Sequence, residues 1–193
     1  RTSAPSAAMA LCQAPSQANL ALLLKLRSPL HLKEGQVHAR TLGRLQGRDH
    51  RVVSEVLAAI QGVGQAHGHA ELYARAMRAV GLDPTPDRYL GEIPAIWLAL
   101  PNLLALTASS AATVDACLGQ LALLAIDSVR PNLMLAGIAD AIGFDPEVRR
   151  FFYLQGTAHR SHGALMRHLL ATGPHARDRV HGAAILQLLR DQQ

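Results

Sequence analysis

Apolar residues recur three and four positions apart along most of this chain, and no stretch alternates with the period of two that a half-buried strand requires. The pattern predicts a short helix over Gln17 to Arg27, broken at Ser28-Pro29 because the residue before proline avoids the α region. A helix from Lys33 to Leu45 follows, then one from His50 to Gly62 with Asp49 as its cap. Gly62 to His69 reads as a glycine-rich joint. After it, His69, Leu72, Tyr73, Ala76 and Val80 share one stripe of an amphipathic helix, with Glu71, Arg75 and Arg78 opposite. Gly81 ends that helix, and a loop carries two prolines to an apolar helix over Ile93 to Thr107, with Pro94 in its first turn and Pro101 kinking its middle. Ser109-Ser110 is placed to cap the next helix, which runs to Asp127. It becomes apolar all round over Leu121 to Ile126 and so belongs at the centre of the fold. Pro131 to Gly143 gives a further helix. Asp145-Pro146-Glu147 is a strong start signal for the longest one, which reaches Ala171. Gly173-Pro174 stops it, and Pro174 to Arg190 forms the last. The expectation is an all-α bundle of seven to nine helices: residues 1–16 a flexible lead-in, 17–193 a single helical domain.

The long helix carries the candidate chemistry. At helical spacing, Val148, Phe151, Phe152, Gln155, His159, His162, Met166, Leu169 and Leu170 fall on one stripe, while Arg149, Arg150, Arg160, Arg167 and His168 point elsewhere. Gln155, His159 and His162 therefore sit mid-stripe on the face that the bundle buries. An unpaired buried polar group costs roughly 1–3 kcal/mol, so three of them need partners, an ion or an enclosed polar cavity. Two readings stay open: core histidines bonded to neighbouring carbonyls or water, and imidazoles that share one metal. Gly156 and Gly163 on the same helix point to close packing by a neighbour. His69, at the head of its own stripe, is a third candidate, and Asp127 a fourth, either as a ligand or as the point where its helix emerges into water. His67 reads as exposed, and His31, His38, His50, His175 and His181 fall in no constellation.

Composition supports a globular helical chain. Of 193 residues, 49% are hydrophobic and 17% charged, while aromatics are only 4% and Leu and Ala carry the apolar load. A net charge of +5 and a pI near 9.9 raise the question of nucleic acid. The basic residues are scattered arginines, with no run or aromatic-interleaved patch, so nucleic-acid binding is not expected. Cys12 and Cys117 form no motif, which fits a reducing, cytoplasmic setting. No charged segment precedes a long apolar stretch, so no secretory signal is expected, and the start at Arg1 suits a trimmed or truncated chain. The most apolar stretch, Ile93 to Ala108, is too short and proline-broken for a membrane span. Phosphate-binding loops, dinucleotide fingerprints, CxxC and HExxH are all missing, and no nucleophile elbow surrounds Ser161.

The run Phe151 to His162 (FFYLQGTAHRSH) resembles the last core helix of the heme-oxygenase-like di-iron oxidases and oxygenases. These are the iron-containing redox enzymes, related to thiaminase-II-like bundles. The order from His69-Ala-Glu-Leu-Tyr through Gly81-Leu-Asp to Phe151 is similar too, and the likeness spans Ser54 to Leu170. It implies that His162 and His69 stand where that family has histidine ligands. His159 stands at an aspartate ligand and Gln155 at a histidine. The family's two glutamates fall at Gln61 and at Ile126 or Asp127.

The resemblance implies an iron-dependent oxidase or oxygenase that tailors a small molecule in a buried central pocket. His69, His159, His162 and Asp127 would ligate, Gln155 would orient a ligand or bound water, and Phe151, Phe152 and Met166 would wall the pocket. The alternative is a non-catalytic bundle, without a cofactor, that binds a small ligand or a protein partner or pairs as a homodimer.

Overall fold

The computed structural model describes residues 14–171 and 175–191; the side chains of 158–161 and 164–171, inside the long helix, are not among those described. Residues 1–13 of the predicted lead-in, with Cys12, lie outside this set. The described residues form nine α-helices: α1 Gln17–His31, α2 Glu34–Leu42, α3 Gly47–Ile60, α4 His69–Ala79, α5 Ala95–Ala108, α6 Val114–Asp127, α7 Val129–Ala141, α8 Pro146–Ala171 and α9 Ala176–Arg190. Two 3₁₀ turns, Leu90–Glu92 and Ala111–Thr113, complete them, and the described residues hold no strand.

Two boundaries differ from the sequence expectation for identifiable reasons. α1 does not break at Ser28-Pro29 but runs through both to His31. Pro29 has no N–H for the Lys25 carbonyl, and the Ser28 hydroxyl donates to that carbonyl instead, at 2.8 Å. α3 starts at Gly47, so Asp49 is not its cap. Asp49 spends its carboxylate on the buried Arg179 guanidinium, which also reaches Asp115 at 2.8 Å. Ser110 caps the 3₁₀ turn Ala111–Thr113 and not α6, and Pro131 lies inside α7, which starts at Val129. Two other signals hold. Asp145 accepts from the Glu147 amide at 2.8 Å at the head of α8, and Gly81 takes φ +77° after α4.

α6 lies at the centre, as its all-round apolarity predicts, in contact with α2, α5, α7, α8 and α9. Its closest neighbour is α9. A Cβ on Gly119 would lie 1.7 Å from the Arg179 carbonyl oxygen, and one on Gly182 2.2 Å from that of Ala116. Only glycine permits this crossing. Gly156 serves the α7–α8 contact, since a Cβ there would lie 2.7 Å from Leu133 Cγ.

Two apolar clusters fill the interior. One joins α3, α5 and α6 through Val53, Leu104, Leu118 and Leu121. The other joins α1, α4, α7 and α8 through Leu24, Leu72, Met77, Phe151 and Phe152. Each fully buried Leu or Met contributes about 1.5–3 kcal/mol relative to exposure. No single helix among the described residues is long and apolar enough to cross a membrane.

Candidate functional site

Between the two clusters the interior turns polar. His69 opens α4 directly after Gly68, and it is 3% exposed. The joint before it folds back tightly, since a Cβ on Gly68 would lie 2.8 Å from the Gln61 carbonyl oxygen. Imidazole Nδ1 of His69 stands 3.7 Å from Glu34 Oε2, and that of His31 stands 4.0 Å from the same oxygen. His31 is the last residue of α1 and Glu34 the first of α2. The turn between them is anchored from outside, where Lys33 Nζ bonds Asp87 at 2.6 and 2.7 Å.

His38 lies one turn further along α2, and its Nδ1 is 3.0 Å from the Glu34 backbone carbonyl oxygen. A carbonyl only accepts, so Nδ1 carries the proton and the neutral ring keeps its lone pair on Nε2. Burial pulls the His38 pKa down, against the Glu34 carboxylate and the bond to its carbonyl, which push it up.

α8 carries two further buried polar side chains, His162 and Gln155. Burial, reinforced by the His69 and His38 imidazoles, lowers the His162 pKa, with Glu34 opposing. Nδ1 of His162 and both amide atoms of Gln155 have no hydrogen-bond partner among the described residues, and Gln155 is 1% exposed. An aromatic group closes the cluster from one side. The His31 ring lies tilted on Tyr73 at 4.8 Å and edge-on to Phe151 at 5.4 Å. The Tyr73 hydroxyl donates to the Leu24 carbonyl, and burial pushes its pKa up.

This cluster borders an apolar cavity of about 340 Å³. Leu23, Trp97, Leu104, Leu121 and Met134 are among its apolar walls, and His31, Glu34 and His38 line it. Arg27, Ser128 and Arg190 are its other polar lining residues. The volume falls in the range of small-molecule pockets.

The structure thus brings His69 and His162 within electrostatic reach of each other and buries Gln155 on the helix that carries His162, and it adds three residues that the pattern reading leaves out. His31, Glu34 and His38 do form part of a constellation, contrary to the expectation for the two histidines. The available signal was Glu34 and His38, four apart on one face of α2, directly after His31 at the end of α1. The expected break before Pro29 hid it, by leaving His31 outside any helix.

Asp127 is placed differently from the ligand role. Its carboxylate is 3.0 Å from Arg190 Nη1 and 36% exposed, at the last residue of α6 where the helix meets water. Phe151 and Phe152 are fully buried in the aromatic group and do not line the cavity. Gln61, at the position of a family glutamate, is an exposed C-cap of α3. The side chains of His159 and Met166 lie outside the described residues.

A helical bundle with a partly buried carboxylate and buried imidazoles beside an apolar cavity defines the class. The family model described as iron-containing redox enzyme matches residues 21–191. The chain belongs to that family, within the heme-oxygenase-like superfamily. No curated protein matches it in sequence.

The family implies iron. No three His, Cys, Asp or Glu side chains among the described residues stand closed around a metal position. Glu34 and the imidazoles of His31 and His69 are donor types that iron takes, but their contacts are pairwise. Two donors that share an ion through bonds of about 2.1 Å, as zinc makes to imidazole and carboxylate, stand at most roughly 4.2 Å apart. The Glu34 pairs at 3.7 and 4.0 Å fall inside that limit. Asp127 is engaged by Arg190, and Gln155 and Gln61 carry no carboxylate that could bridge a pair of ions.

Proposed function

We propose that this chain is an oxidoreductase that uses one iron ion to oxidise a small, largely apolar molecule held in the central cavity. The observation that supports it most is the placement of a partly buried carboxylate and buried imidazoles at the edge of an otherwise apolar pocket. Imidazole and carboxylate donors suit Fe(II), and a mixed set with open positions is the pattern of mononuclear oxygenases. His69 and His162 are the family-matched holders. Iron, when bound, supplies the redox chemistry that these side chains lack. The protein does the rest. Leu23, Leu104 and Leu121 exclude water, Glu34 balances positive charge, and the neutral His38 ring offers its Nε2 lone pair at the lining.

Gln155, where the family has histidine, and the unclosed donor set favour a second reading, a bundle that binds an organic ligand without turnover. Elemental analysis of untagged protein separates the two. The first predicts near-stoichiometric iron, lost in the His69→Ala/His162→Ala double variant. Metal-free protein that binds an organic ligand tightly would favour the second.

A further inference from the structure

We infer that the corner of the cavity where Arg27 of α1 reaches Asn132 of α7 is a subsite for a carboxylate, so that the molecule the cavity takes is a small apolar acid. The inference rests on the reading of the cavity as the ligand chamber and names the chemistry of what enters it. It does not depend on which residues hold iron. Arg27 is half-buried and lines a cavity whose other walls include Leu23, Leu104 and Leu121. A guanidinium keeps its charge at every physiological pH, and an apolar wall tolerates it where polar groups or a bound anion face it.

Arg27 Nη1 donates to Asn132 Oδ1 at 3.5 Å. A guanidinium has no acceptor, so the amide turns its oxygen to Arg27 and keeps both Nδ2 hydrogens for something else. Asn132 is fully buried, and its Nδ2 has no hydrogen-bond partner among the described residues. A buried donor in that state is destabilising until an acceptor reaches it. Asn132 stands one turn after Ser128, whose carbonyl accepts from its amide at 3.1 Å, and Ser128, Pro131 and Leu135 of the same stripe line the cavity. The first turn of α7 carries no acid to oppose an anion. The corner therefore offers donors from the guanidinium, from Nδ2 and from the Ser128 hydroxyl, and a carboxylate is the acceptor that a guanidinium fork matches best. The second lining arginine, Arg190, has its Nη1 on Asp127 at 3.0 Å. Glu34 lines the cavity from beyond the end of α1 and repels an anion there, so the acid group belongs at Arg27 and the apolar body against the leucines.

Calorimetric titration of the purified protein with phenylbutyrate and with phenylbutanol, the same body without the charge, tests the assignment. A chelator is kept present so that no metal can take the carboxylate. Wild type is expected to bind the acid at least about 10-fold more tightly than the alcohol, the size of a hydrogen bond to a charged group. Arg27→Met should erase that preference and leave the affinity for the alcohol within a few-fold, whereas Arg27→Lys should keep part of it. Asn132→Asp, nearly the same shape, should weaken the acid and spare the alcohol. The wild-type preference needs no variant, so it is readable even if a substitution prevents folding. Wild type that binds the two probes equally would overturn the inference, as would a preference that survives Arg27→Met or is lost in Arg190→Met instead. Wild type that binds neither probe would overturn the inference together with the reading of the cavity as a ligand chamber. Iron content of untreated protein tests the redox reading separately.

Discussion

At the residue scale the chain keeps uncompensated polar groups in its interior, and their energetics are measurable. Gln155 is the clearest, with both amide atoms unpartnered among the described residues. Gln155→Met, close in shape, should stabilise metal-free protein by about 1–2 kcal/mol, read as a rise of roughly 2–4 °C in Tm for each kcal/mol. A fall in Tm would mean that the amide has a partner worth keeping. The histidines give a pH signature. Burial holds His38 and His162 below the ordinary value of 6.5 despite Glu34, so the unfolded chain takes up their protons first as pH falls. Metal-free protein should therefore be at full stability above about pH 6.5 and lose it as the pH drops below that value. His38→Gln should flatten the decline, and a wild-type Tm that rises on acidification would contradict the assignment. Position 155 also shows what sequence conveys well. Helical spacing placed Gln155 and His162 inside because their stripe holds Phe151 and Phe152. Spacing cannot say which distant polar group lies near them, which is why Glu34, six helices earlier in the chain, went unselected.

At the element scale, glycine positions separate close crossings from ordinary contacts. Gly119→Ala drives a methyl into the α9 backbone, 1.7 Å from the Arg179 carbonyl oxygen, whereas Gly163→Ala meets Ile126 Cα at 3.6 Å. The first should destabilise by at least the about 1–3 kcal/mol of an overpacked core. The second should be neutral or stabilise by up to about 1 kcal/mol through helix propensity. Thermal unfolding of the two variants checks the contrast, and equal midpoints would refute the α6–α9 crossing. The start of α8 was legible because Asp145-Pro146-Glu147 acts through local hydrogen bonds. The end of α1 was not. A proline two residues before a helix end is tolerated when another donor serves the carbonyl it abandons, and the Ser28 hydroxyl does so. That local repair carries α1 on to His31 and places this imidazole beside Tyr73 and Glu34.

At the scale of the whole molecule, α9 is tied down by one buried arginine. Arg179 joins Asp49 of α3 and Asp115 of α6. Arg179→Met should cost near the lower end of the about 3–5 kcal/mol seen for broken buried pairs, since both carboxylates keep some contact with water. Denaturant unfolding that shows no loss would contradict a clamp across the bundle. The fold class was readable from periodicity, because every helix buries a stripe against a neighbour. The carboxylate of the site was not, because it arises where α1, α2, α4 and α8 converge and no single segment records that meeting. Anomalous diffraction at the iron edge, from crystals of anaerobically reconstituted protein, tests the central claim most directly. One peak is expected within bonding distance of the His69 and His162 imidazoles, on the side of the cavity that Glu34 lines. A peak at Asp127, or none in the interior, would contradict it.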